Sequence, residues 1–296
     1  MKLNELNVLQ LLKNKLIDAA EVRGLKLTDD AFGSKRWENS EKKVFYLYDS
    51  RNNLYETPRC KTKLGTGVNA VRSSAAMIFN LLGENTITLN HKEYSGIEYE
   101  KKYPAIIDEK GDIHEAHLDA VFHSSDNSEM YAVEAKLLEW KDSPKNLAKA
   151  YLEPNQYFTK GKNSKVFIDF FETLISPNKE TNKEGRYKHL LKKYDAIQMT
   201  IHTLALYNHF SQETSTSVKK LTLLNIVWKY DCDEYEKEEE EAHQYMEAAN
   251  KFFLPLFKQI GIDFSIEYST FQDFKEKLVI SDAKRVEYLK RYEVKA

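Results

Sequence analysis

A block of alternating, strand-like sequence between Glu98 and Leu138 limits the fold more than any other feature of the chain. Glu98 to Ile107, Glu115 to His123 and Met130 to Leu138 each have the period of a strand and no helix-period residues between them. Asp108-Glu109-Lys110-Gly111-Asp112 separates the first two, and Ser124-Ser125-Asp126-Asn127-Ser128 the last two. Both have the composition of tight turns, so the spacing predicts a three-stranded antiparallel meander over about 98–140.

The flanking sequence is mostly helical. Leu3, Leu6, Leu9, Leu12, Leu16 and Ala20 mark an amphipathic helix, and Val44 to Tyr48 has strand chemistry. Asn69 to Leu82 reads as a helix stopped by Gly83. After the meander, Leu147 to Phe158 is a short helix candidate limited by Pro154, and Val166 to Ile175 fits helix or strand equally. Tyr187 to Phe210 reads as one long helix, and Leu221 to Tyr230 as a strand buried on both faces. Ala242 to Phe257 returns to helix, and Phe264 to Tyr268 is a last strand before a C-terminal helix. The expected class is α/β, a mixed central sheet flanked by helices. The expected organisation is an N-terminal helix and strand addition at 1–66, a core at 67–230 and a C-terminal helix and strand addition at 231–296.

Composition closes off several alternatives. With 44 Lys+Arg against 46 Asp+Glu the net charge is −2, so any polyanion surface must be a local patch. Residues 136–193 hold 13 Lys+Arg against 7 Asp+Glu, with Tyr151, Tyr157, Phe158 and Tyr187 among them to stack on bases. Cys60 and Cys232 are too few for a disulfide framework, and a reducing compartment fits. No apolar run is long enough for a membrane span, and charges interrupt the N-terminal segment where a signal peptide would need its apolar stretch; a cytoplasmic location is expected. GxxxxGK[ST], G-x-S-x-G and HExxH motifs are absent.

One cluster in the meander suggests chemistry. Residues i and i+2 of a strand share a face, so Glu134 and Lys136 point one way while Val133, Ala135 and Leu137 point the other. On the preceding strand Asp119 is expected on one face with Glu115 and His117, and the turn brings Asp119 beside Glu134. Converging carboxylates are costly unless a cation offsets them. Magnesium takes oxygen ligands, here Asp119, Glu134 and the carbonyl of Ala135, and Lys136 would orient a water or stabilise developing charge. A plain salt bridge of Lys136 with Glu134 or Asp119 is the structural alternative.

The pattern Asp119, fourteen residues, then Glu134-Ala135-Lys136, with a helix ahead of the meander and a helix and strand behind it, resembles the PD-(D/E)XK nucleases of restriction-endonuclease-like fold. The resemblance covers roughly residues 67–230. It implies a nuclease that hydrolyses phosphodiester bonds, expected in DNA, with Asp119 and Glu134 binding Mg²⁺ (or Mn²⁺) and Lys136 assisting the attacking water. Many members carry a further acid on the first core helix; here Glu84, just past that helix, and Glu115 are the candidates. Gln198, or less directly Gln156, matches a glutamine found on the helix after the meander, with His202 one turn on. His117 is expected near the site, and Arg72, Ser73 and Ser74 are candidate phosphate contacts. Cutting both strands of a duplex would favour a homodimer. The alternative is a nuclease-like module that binds nucleic acid without cutting it.

Overall fold

The computed structural model describes residues 73–83, 86–137, 144–158, 162–213, 216–229 and 233–293. The expected N-terminal helix, the Val44 to Tyr48 strand, Arg72 and Glu84 lie outside them.

The first helix, α1 (Ser74–Leu82), begins where the Ser73 hydroxyl accepts the Ala76 N–H and ends at Gly83, whose φ of 81° suits only a glycine without cost. Strand β1 (Ile87–Leu89) then turns back into β2 (Lys92–Ile107). The turn residues Asn90 and His91 both have positive φ, as a two-residue hairpin loop requires. The meander continues with β3 (Ile113–Ser124) and β4 (Glu129–Lys136), each pair antiparallel, as the spacing predicts. Its turns are held by side chains: Asp108 accepts from the N–H of Lys110 and Asp112, and Asp126 from that of Ser128.

Beyond the meander the local reading needs two corrections. Leu147 to Phe158 forms no α-helix but two short 3-10 turns, Lys149–Leu152 and Pro154–Gln156, because Pro154 has no N–H to carry a helix through. The ambiguous segment is helix α2 (Lys162–Leu174). The long helix, α3 (Ala196–Gln212), starts nine residues later than its periodicity suggests, since Asp195 caps it by accepting the Gln198 N–H. Strand β5 (Lys220–Val227) is buried from Leu221 onward, as its apolar run predicts. Helix α4 (Asp233–Gln259) takes in most of the acidic run as well as the expected helix. Strand β6 (Asp263–Thr270), α5 (Phe271–Glu276), β7 (Leu278–Val279) and α6 (Ala283–Leu289) follow.

Among the described residues all seven strands form one mixed sheet in the order β6-β5-β4-β3-β2-β1-β7. β5 runs parallel to both β4 and β6, so a helical crossover precedes and follows it. Helices α2, α3 and α4 cover one face; α1 and α6 lie on the other. Each face has its own core. Phe167, Phe170, Leu204, Tyr207, Phe253 and Phe264 belong to the first, and Phe79, Phe122, Val133, Ile226 and Trp228 to the second. The segment 231–296 supplies the edge strand at each end of the sheet, so it is built into the sheet. No described helix is long and apolar enough to cross a membrane.

Candidate active site

Glu134 and Lys136 sit at the end of β4, on the face covered by α3, while Val133, Ala135 and Leu137 pack into the opposite core. The β3–β4 ladder ends at Ala120↔Val133, and continuing that register brings Asp119 opposite Glu134. There the strands stop exchanging backbone bonds. The Asp119 carboxylate takes over and accepts the Ala135 N–H at 2.6 Å. The two acids therefore meet as the turn geometry predicts.

Helix α3 fixes the other side. The Lys136 ammonium donates to Glu134 Oε1 at 2.6 Å and to Gln198 Oε1 at 2.8 Å. Gln198 Nε2 donates back to Glu134 Oε1 at 2.8 Å, and His202 Nε2 lies 3.0 Å from Glu134 Oε2. Gln198 and His202 are one turn apart, so both reach the same carboxylate. Asn225, the β5 partner of Glu134, donates to the Glu134 backbone carbonyl. Glu134 is 4% exposed, and an anion so buried is tolerable only with such a set of donors.

The electrostatics of the two acids diverge. Burial opposes the charge on Glu134, but Lys136 and His202 outweigh it and hold the carboxyl below its ordinary range. Burial and the Glu134 charge push Asp119 well above its ordinary range, and the Ala135 N–H and Lys136 only partly offset them. The nearby Glu100 adds to that repulsion and is itself raised by burial and by Glu134.

Glu100 was not legible in the sequence. The pairs Tyr99↔Ala120 and Lys101↔Leu118 set it opposite Asp119 on β2, with φ of 52°. The strand alternation changes phase here: Tyr99 and Ala120 face one core, Tyr103, Ala116 and Leu118 the other. A non-glycine residue in the left-handed region in mid-strand costs of order 1 kcal/mol, and such outliers concentrate at functional sites. A single sequence carries no signal for it.

The phase change also corrects the expectation that Glu115 and His117 share the Asp119 face. Both are exposed and lie beyond the break; Glu115 pairs with Lys102 at 3.4 Å and with His117 at 4.0 Å. Ser73 spends its hydroxyl as a helix cap, and Ser74 is half-buried in the first turn. Gln156 is buried in its 3-10 turn, and it is Gln198 that bonds Glu134 and Lys136.

The donors present suit a hard cation. Asp119, Glu134 and the Ala135 carbonyl are all oxygen ligands, and the site holds more carboxylates than cationic side chains to balance them. Among the described residues no group of three or more His, Cys, Asp or Glu side chains is placed to hold a metal ion. Magnesium does not require one, because it keeps several waters and commonly binds through one or two carboxylates. Compared with known proteins, the chain matches no family model, and no curated protein or solved structure is significantly similar to it.

Proposed function

We propose that the protein is a Mg²⁺-dependent nuclease of restriction-endonuclease-like fold that hydrolyses phosphodiester bonds, with DNA as substrate. The carrying observation is the meeting of Asp119 and Glu134 at the point where β3 and β4 part, with Lys136 bonded beside them. The order of helix, meander, helix and parallel strand supports the fold assignment, and the match of Asp119 and Glu134-Ala135-Lys136 to the family pattern supports the chemistry.

Asp119, Glu134 and the Ala135 carbonyl would hold the metal. Bound there, Mg²⁺ supplies charge neutralisation at the phosphate and a water of lowered pKa. Lys136, whose ammonium donates to Glu134 Oε1 and Gln198 Oε1, would orient the attacking water and stabilise charge on the phosphoryl oxygens. His202 and Gln198 keep Glu134 ionised and in one rotamer. The water oxygen would bond to phosphorus while giving up a proton to solvent, the bond to the leaving oxygen would break, and the leaving oxygen would take a proton from solvent.

The test is nicking of supercoiled plasmid in Mg²⁺ or Mn²⁺ against chelator. Wild type is expected to cut, and Asp119→Asn and Lys136→Ala each to lose about 10²-fold or more of the rate. Plasmid binding without cutting in either metal would instead favour the non-cleaving module, a reading helped by Glu134 already being satisfied by protein donors. Neither binding nor cutting would remove both readings.

A further inference from the structure

We propose that Glu241 on α4 is a positioning residue for the site: it holds the chain that leads into α3 and so sets where Gln198 and His202 meet Glu134 and Lys136. The proposal rests on the nuclease reading above.

Between the bridges at residues 187–189 and the start of α3 the chain has no regular element of its own. Its backbone donors must therefore find partners one at a time. Glu241 partners three in a row. Its Oε2 accepts the N–H of Lys192 at 3.0 Å, of Lys193 at 2.8 Å and of Tyr194 at 3.0 Å, and its Oε1 lies 3.1 Å from the Lys192 nitrogen. The next donors are met in turn. The Tyr194 carbonyl accepts the Ala196 N–H, His189 Nε2 accepts that of Ile197 at 3.4 Å, and Asp195 that of Gln198. The line of bonds ends at Gln198, whose amide accepts from Lys136 and donates to Glu134.

A second contact comes from the same face of α4. Tyr245 follows Glu241 by one helical turn. Its hydroxyl lies 3.1 Å from Thr200 Oγ1, and its ring centroid 5.3 Å from that of Tyr194. Thr200 stands between Gln198 and His202 in α3, so α4 grips α3 at the turn that carries both partners of Glu134.

The chemistry suits a role in placement more than one in general stability. Consecutive N–H groups converge on one carboxylate, and a charged acceptor strengthens each bond. Glu241 and Lys193 are half-buried and Lys192 is exposed, so water can take the place of the carboxylate. Loss of Glu241 then disturbs the path of the chain more than the fold. A displacement of about 1 Å at Gln198 is enough to break its 2.8 Å contacts with Lys136 and Glu134.

The test uses the full chain labelled with nitrogen-15 in histidine, the His202 ring signals being identified by their loss in His202→Gln. Asn250 supplies the control. It lies on the same helix but bonds β6, donating to the Ile266 carbonyl at 3.1 Å and accepting the Ile266 N–H at 2.8 Å. Glu241→Ala is expected to shift the His202 ring signals, and Glu241→Gln, which keeps one acceptor oxygen, to shift them less; Asn250→Ala should leave them in place. In plasmid nicking Glu241→Ala should lose about tenfold in kcat with KM within about twofold, Glu241→Gln should fall between it and wild type, and Asn250→Ala should keep the wild-type kcat. A thermal melt checks each variant, and if Glu241→Ala does not fold the comparison of Glu241→Gln with wild type decides. His202 signals unmoved in the folded Glu241 variants, or moved as far by Asn250→Ala, would overturn the role of Glu241. Absence of cutting in wild type with shifted His202 signals would overturn the nuclease reading and leave Glu241 as the residue that sets the Gln198–His202 clamp.

Discussion

Asp119 and Glu134 face each other across one strand gap, yet their charges have opposite fates. Glu134 has an ammonium, an amide and an imidazole as partners, whereas Asp119 has one backbone N–H and two acidic neighbours. Such imbalance fits the proposed cation site, and a raised carboxyl of this kind costs stability at neutral pH. Metal-free Asp119→Asn is therefore expected to melt above wild type at neutral pH, by a few degrees for about 1 kcal/mol in a chain of this size. The sign follows from the raised carboxyl: the native state binds the proton more tightly than the unfolded chain, so stability is lost as pH rises through the native value. The advantage of the amide should shrink as the pH falls toward the ordinary carboxylate range, and equal melting of the two proteins at pH 7 would contradict it. Glu238 on α4 makes the same point away from the site. Burial pushes it up to about 8, only partly offset by the Tyr268 hydroxyl that donates to it at 2.7 Å, with Glu239 and Glu241 raising it further. Wild type should lose stability between about pH 4.5 and about pH 8 with a slope of up to about 1.4 kcal/mol per unit, and Glu238→Gln should flatten that slope in a denaturant series. Asp119, Glu134 and Lys136 could be read from the sequence because the Glu-x-Lys spacing and a short turn set the two strand ends side by side, while Gln198 was named only through the resemblance. Glu100 could not, because its position depends on the β2–β3 register and on a backbone conformation glutamate seldom adopts.

At the scale of elements, the helix that carries Gln198 and His202 is placed by its cap and by one side chain. Asp195 accepts the Gln198 N–H at 3.1 Å, and Asn208 donates to the carbonyls of Pro104 and Ala105, where the β2 register slips. The proline withholds a ladder donor, and the buried asparagine satisfies acceptors the slip leaves behind. Asp195→Ala is expected to cost about 1 kcal/mol by denaturant unfolding. Because the cap is on the residue that braces Lys136, Asp195→Ala should also lower the rate of the proposed cleavage; an unchanged rate with the stability loss would show that the helix start does not set the Gln198 position. The meander and β5 were legible because turn residues and an unbroken apolar run override weak local preferences. The start of α3 was not: Tyr187, Leu190, Leu191 and Tyr194 have helical spacing, yet residues 187–189 form bridges with Leu147, Ile175 and Thr181. The β1–β2 hairpin escaped because its turn is Asn90-His91, where the usual signal has a glycine second.

For the whole molecule, the sheet brings the site to the carboxyl end of a parallel pair. Lys136 and Val227 are partners at the ends of β4 and β5, and Asp119 lies where β3 leaves β4. Open α/β sheets commonly bind ligands outside the carboxyl ends of their strands. The chain from 263 onward closes the sheet at both edges, β6 beside β5 and β7 beside β1, and Trp228 donates to the Tyr292 carbonyl at 2.8 Å. Its removal would expose the edges of β5 and β1 together. The most direct measurement of the central claim is anomalous scattering from crystals soaked in Mn²⁺. The account predicts one strong peak between Asp119 and Glu134, about 2.1 Å from their carboxylate oxygens, as octahedral oxygen sites of this kind require. Well-ordered Asp119, Glu134 and Lys136 side chains with no peak at millimolar Mn²⁺, or a peak bound only elsewhere, would contradict it.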